Sequence, residues 1–256
     1  MWDPDPQAPP DTALWDPDVQ ATSDTVLRRV LGLRGAGDTV VAITKTLARE
    51  IIEGRQSFGA DLNSVELSRR FSCSRAPVRE ALVILEYAGL VNMPARRRPR
   101  VVVPDERTVE EVYRMRAMLN AVVSERVAAY ATDEQLACLE RELEHMVAAA
   151  AAGSNIQYFW ANVSFHERES DASGDRILKK TIDSLGLQVL SLRRLTLALP
   201  ERMQYSLDDH RRLLRAYHQR DVELAGALSK SIVQQAYAAL TQGNVLKSLI
   251  RGVAHD

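Results

Sequence analysis

Residues 61–101 read DLNSVELSRRFSCSRAPVREALVILEYAGLVNMPARRRPRV, and this stretch decides the fold. Asn63 or Ser64 suits the N-cap of a short helix, because a side-chain oxygen there accepts from an otherwise unpaired backbone N–H. Glu66 follows where the helix dipole favours a carboxylate, and Val65, Leu67 and Phe71 form the apolar face. Ser72-Cys73-Ser74 ends that helix. Ser74 then opens a second one with Pro77 in its first turn, where the missing N–H costs nothing. Val78, Leu82 and Leu85 recur at helical spacing, while Arg75 and Arg79, four apart, project together from the opposite face. Gly89 supplies a left-handed cap. Leu90-Val91 and Val101-Val102-Val103 read as two short strands around a turn carrying Arg96, Arg97, Arg98 and Arg100. Four guanidiniums on one hairpin repel one another unless an anion sits close, and duplex phosphate is the natural candidate. With a preceding helix over Val40–Glu53, whose Val40, Ile43, Leu47 and Ile51 share a face, the pattern predicts a winged helix-turn-helix of three helices and a small β-wing.

Charge is distributed to match. Residues 39–104 hold 11 Lys and Arg against 6 Asp and Glu, whereas residues 1–38 hold 3 against 7 and residues 105–256 hold 19 against 21. The positive excess therefore sits on the segment assigned to double-stranded DNA. Cys73 and Cys138 form no close pair and no C-x-x-C motif, so reduced thiols are expected. No signal-peptide pattern or membrane-length apolar run is visible, and a cytoplasmic protein with no membrane partner is expected.

The 256 residues suffice for two cores. Residues 1–23, rich in Pro and Asp and carrying WDPD twice, read as a disordered tail: a docking motif, a shield for the basic segment, or an extension without function. Residues 24–38 read as a short helix and linker, and 39–104 as the winged domain. Beyond Pro104 strand patterns disappear. Helices are predicted near 106–131, 133–152, 155–170, 174–199, 205–219 and 221–243, broken by Gly153, Ser173-Gly174, Pro200 and Arg220. Residues 105–245 thus form an all-α bundle of six or seven helices, with 246–256 as a C-terminal tail, and the fold class is mostly α.

The run from Leu62 to Val101 resembles the DNA-binding domain of GntR-type bacterial regulators. The resemblance is carried by Leu62, Leu67-Ser68, Phe71, Cys73-Ser74-Arg75, Pro77-Val78-Arg79-Glu80-Ala81-Leu82, Leu85 and Gly89-Leu90-Val91. It implies that Arg75 and Arg79 read the operator and that Ser74 and Ala76 lie against backbone or groove. Ser64 and Pro77 join that DNA-facing set, and the wing arginines enter the minor groove. Glycine is common at the family's wing tip, where Arg98 stands here, so a different turn is expected. The bundle is similar to the FCD ligand-binding domain of the FadR-like branch, through Val112-Tyr113, Arg116, Phe165-His166, Ser173-Gly174-Asp175, His210-Arg211, Asp221 and Ala225.

Arg116 shares its face with Val112, Leu119, Val123 and Val127, and a guanidinium pointing into a bundle calls for an anion. Asn162 and His166 share a face with Phe159 and Val163, and His210 sits with Leu213, Leu214 and Tyr217. The resemblance implies a divalent metal site of one Asp and three His at these places. Here Asn162 replaces the Asp, His166 and His210 remain, and Ile232 stands at the third His position. Zinc or nickel is therefore not expected to be held tightly, and no cofactor is expected. Two readings stay open: a metal-free pocket in which Arg116, Asn162, His166 and His210 bind a small carboxylate effector, or a degenerate site with two structural histidines. Arg193, Arg194, Tyr205 and Tyr217 are further candidates for the cavity wall, and His145, His218 and His255 match no ligand position.

No nucleophile with a base and orienting group is apparent, so an enzyme is not expected. The expected function is a bacterial homodimeric regulator, a repressor by preference, reading a palindromic operator under control of the effector. A constitutive or architectural DNA binder with a decayed pocket is the alternative.

Overall fold

The computed structural model describes residues 17–242 and 246–247, with side chains from residue 21 onward except residue 22. The winged unit is built as its sequence pattern requires. Helix α2 (Asp38–Ile52) buries Val40, Ile43, Leu47 and Ile51; α3 (Ser64–Arg70) buries Leu67; and α4 (Arg75–Tyr87) buries Val78, Ala81, Leu82 and Leu85. Asn63 is the N-cap of α3, accepting from the Val65 N–H at 3.0 Å. Ser74 occupies the N-cap of α4 but makes no capping bond with its hydroxyl. Gly89 takes φ 77°, the left-handed cap expected. Strands β1 (Val91–Asn92) and β2 (Arg100–Val101) pair antiparallel with Val91 opposite Val101. They are shorter than the sequence suggests, and the segment at Asp61 bridges Arg100 as a third edge.

The second half is the helical bundle: α5 (Glu106–Tyr130), α6 (Asp133–Ala151), α7 (Asn155–Ala172), α8 (Arg176–Asp183), α9 (Gln188–Leu197), α10 (Arg202–His218) and α11 (Val222–Gln242). Its core gathers Tyr158, Phe159, Trp160, Phe165 and Tyr217, each at most 1% exposed. Caps account for several starts, among them a capping box at Thr132 and Gln135, and Asp105 accepting from the Thr108 N–H.

Three boundaries differ from the sequence reading. The span 174–199 is two helices, because Gly186 at φ 79° turns the chain between α8 and α9. Helix α10 begins at Arg202, three residues before the predicted start, after Glu201 adopts φ 61° behind Pro200. Helix α1 (Pro17–Val30) begins inside the stretch read as tail, because Val26 and Leu27 are buried, and α1 packs on α7 and α2. Leu246, assigned to the terminal tail, is likewise buried. The first WDPD copy and His255 lie outside the described residues, as does the start of the second copy.

Candidate DNA interface and effector cavity

The turn between α3 and α4 is made by Ser72 at φ 50°, with Cys73 N–H donating to Ser68 O at 3.0 Å. This leaves Ser74, Arg75, Ala76 and Arg79 exposed on one end of α4, with Pro77 and Ser64 half-buried beside them. Neither Arg75 nor Arg79 makes an ion pair among the described residues, so both heads are free for an outside partner. In the wing, Arg97 N–H donates to Pro94 O at 3.2 Å and Arg96 takes φ 62°. The left-handed position of this turn is thus Arg96 rather than the aligned Arg98, which accounts for the missing glycine at 98. Arg96, Arg97, Arg98 and Arg100 are all exposed. Asp61 binds Arg100 at 2.7 Å and approaches Arg98 at 3.8 Å, an anchor the sequence reading missed.

In the bundle, the four predicted residues converge. Arg116, Asn162, His166 and His210 line one cavity of about 40 Å³, and Ile232 lies on its wall. His210 Nδ1–H donates to Ser206 O at 2.6 Å, and Asn162 Nδ2 donates to His210 Nε2 at 3.2 Å. His166 Nδ1–H donates to Glu169 Oε2 at 2.8 Å, and its Nε2 lies 3.4 Å from His210 Nε2. Burial and the neighbouring His166 push the His210 pKa down to about 3, and burial together with Arg193 lowers that of His166. Both rings are therefore neutral at pH 7. Burial opposes ionisation of Glu169, but bonds from His166, Tyr217 and Ser124 hold its pKa below the ordinary value. Glu169 is the carboxylate the sequence reading overlooked; its spacing three residues after His166 was the available signal.

Two guanidiniums dominate the rest. Arg116 is 6% exposed, stacks on the Tyr113 ring at 4.9 Å and has no carboxylate partner among the described residues. Arg193 reaches Asn162 Oδ1 at 3.4 Å. Burial and repulsion from Arg116 bring its pKa down to about 9, so it stays charged at pH 7. This donor set does not suit a divalent cation: two imidazoles, an amide whose oxygen already accepts from Arg193, an isoleucine, and two positive charges. No group of three or more His, Cys, Asp or Glu is arranged for a metal among the described residues.

The two halves meet along α9. Gln188 Nε2 donates to Gly89 O at the end of α4, and Leu187 N–H reaches Ala88 O at 3.4 Å. Arg194 lies so close to Gly54 that a Cβ there would fall 2.3 Å from its Nη2, and Trp160 Nε1–H donates to Glu53 Oε1 at 2.9 Å. Helix α9 thus carries a cavity cation, Arg193, and contacts to α4 and α2.

Comparison with known proteins gives the lineage of this architecture. The chain matches the bacterial regulatory proteins of the gntR family over residues 39–101 and the FCD domain over residues 111–235. The chain belongs to the GntR family. GntR-family regulators are DNA-binding transcriptional regulators that bind operators, typically as dimers. Relatives include the HTH-type transcriptional regulator YdhC of Bacillus subtilis, 29% identical over 180 residues, or 70% of this chain and 80% of that one. The gluconate operon transcriptional repressor of Bacillus licheniformis is 30% identical over 129 residues, 50% of this chain and 53% of that protein. E. coli McbR/YncC shares the fold, with a TM-score of 0.69 at 22% identity, covering 81% of this chain and 99% of its own.

Within this GntR-family chain, Tyr205 is 54% exposed and absent from the cavity wall, Arg194 faces the winged unit, and Tyr217 lies behind Glu169. His145 and His218 pair with Glu142 and Glu140 away from the cavity. Cys73 and Cys138 are free thiols. No helix among the described residues is long and apolar enough to cross a membrane.

Proposed function

We propose that this protein is a transcriptional repressor whose hold on a palindromic operator is set by a small organic acid bound in the helical bundle without a metal. Arg75 and Arg79 read base edges as a homodimer places two copies of α4 in successive major grooves, while the wing arginines bind phosphate and minor groove. Free guanidiniums on one end of α4 support this, and relatives named as repressors favour repression over activation.

One observation carries the effector assignment: Arg116 and Arg193 share a cavity that offers neither of them a directly bonded carboxylate. A buried guanidinium without an anion is costly, so a carboxylate entering there gains what the fold leaves unsatisfied. Asn162 keeps a second amide N–H to donate to the acid, while His166 and His210, whose Nε2 atoms carry lone pairs, wall the cavity and hold Asn162 in place. The acid shifts operator affinity by binding one arrangement of α9 against the winged unit better than the other.

Thermal shift against small carboxylic acids and divalent metals, on wild type and Arg193→Leu, tests this. Stabilisation by acids alone, lost in the variant, is the expected result; stabilisation by metal alone would refute it. The cavity volume of about 40 Å³ favours a second reading, a constitutive DNA binder with a decayed pocket. Silence toward every acid and metal, with operator binding intact, would establish that one.

A further inference from the structure

A second cavity of about 90 Å³ adjoins the first and shares Arg116, His166 and Arg193 with it. Helix α1, which lies outside both matched family regions, supplies Val26 and Val30 to its wall, and the turn between α8 and α9 faces them with Leu185 and Leu187. Arg29 straps α1 over this space, bonding Glu167 at 2.7 Å and Asp183 at 2.8 and 3.0 Å. Arg29 and Lys179 together satisfy Glu167 and Asp183, and Glu169 is occupied by His166, so beyond the shared Arg116, His166 and Arg193 and the polar Asn120 and Ser170 the groups left to meet a ligand are apolar.

Resting on the carboxylate reading above, we infer that the effector is a short-chain aliphatic monocarboxylic acid. Its carboxylate lies on Arg116 and Arg193, and its hydrocarbon tail fills the chamber that α1 closes. Polar sugar acids fit poorly, because their hydroxyls would be stripped of water against Val26, Val30 and the leucines with few partners to replace it. Size limits the tail as well. A cavity of roughly 150 Å³ takes a benzene ring, so a chamber of about 90 Å³ suits a short chain better than an aromatic one.

The test is titration calorimetry of the full chain with the straight-chain acids acetate through hexanoate and with gluconate. Two variants, Val30→Phe and Ile182→Phe, fill the chamber from opposite sides at half-buried positions. Affinity is expected to rise about fourfold per methylene, the equivalent of ~0.8 kcal/mol, and then level off. Either aromatic variant that folds should keep acetate binding and lose the chain-length gain. Equal affinity along the series, preference for gluconate, or an unchanged gain in both variants would overturn the tail assignment while leaving the carboxylate site standing. Failure of every acid to bind would overturn the carboxylate reading itself.

Discussion

Buried His210, packed against the half-buried His166, makes the stability of this protein depend on pH in a window where few other groups titrate. His210 has its pKa depressed to about 3 against an ordinary value of 6.5. The unfolded chain therefore takes up its proton first, and the stability from neutral His210 is complete above pH 6.5 and lost progressively as pH falls toward 3. At pH 5 the unfolded ring lies 1.5 units below its pKa while the folded ring is still neutral, a difference of about 2 kcal/mol at 1.36 kcal/mol per unit. His166, lowered by burial and Arg193, adds loss of the same sign. Glu169 and Glu167, both held below the ordinary carboxylate pKa, begin to weigh only at lower pH. Urea unfolding at pH 7 and pH 5, for wild type and His210→Gln, isolates the effect. The buffers must lack carboxylates, since Arg116 and Arg193 are proposed to bind them. Wild type is expected to lose about 2 kcal/mol more than the variant between the two pH values. Equal losses would show that His210 is hydrated or already protonated in the fold, and the reasoning from its burial would fail.

Arg79→Ala should cost roughly 1–3 kcal/mol of operator affinity, concentrated at particular base pairs, as read by binding to a set of single-site operator variants. Arg97→Ala should weaken all duplexes about equally and lower the slope of log K against log salt by about one; unchanged salt dependence would remove the wing from the interface. Gln188→Ala, by cutting the bond to Gly89 O, should leave acid binding intact by calorimetry yet reduce acid-induced operator release in a fluorescence assay. Gly54→Ala should destabilise the fold by about 1–2 kcal/mol for its left-handed φ, with a further cost from displacing Arg194; no change in thermal midpoint would show that this seam is loose.

The winged unit was legible because its information is local. Asn63, Ser74, Pro77 and Gly89 punctuate helices through their own backbone preferences, and Val78, Leu82 and Leu85 declare a face by spacing alone. The same locality put Asn162 with His166, one turn apart, on a common face. Gly186, between two leucines, was a readable break that helical periodicity concealed. The roles of Arg193 and Arg194 were not readable, since adjacent arginines on one helix look alike until the surrounding elements show that one meets the cavity and the other Gly54. Nor does the sequence reveal that Arg29 closes a chamber through Glu167 and Asp183, 138 and 154 residues away. By itself, then, the chain determined its helices, its basic wing and its family. Tertiary structure decided which charges are paired and which, such as Arg116, find no carboxylate among the described residues, because pairing depends on distances between residues that no local spacing encodes.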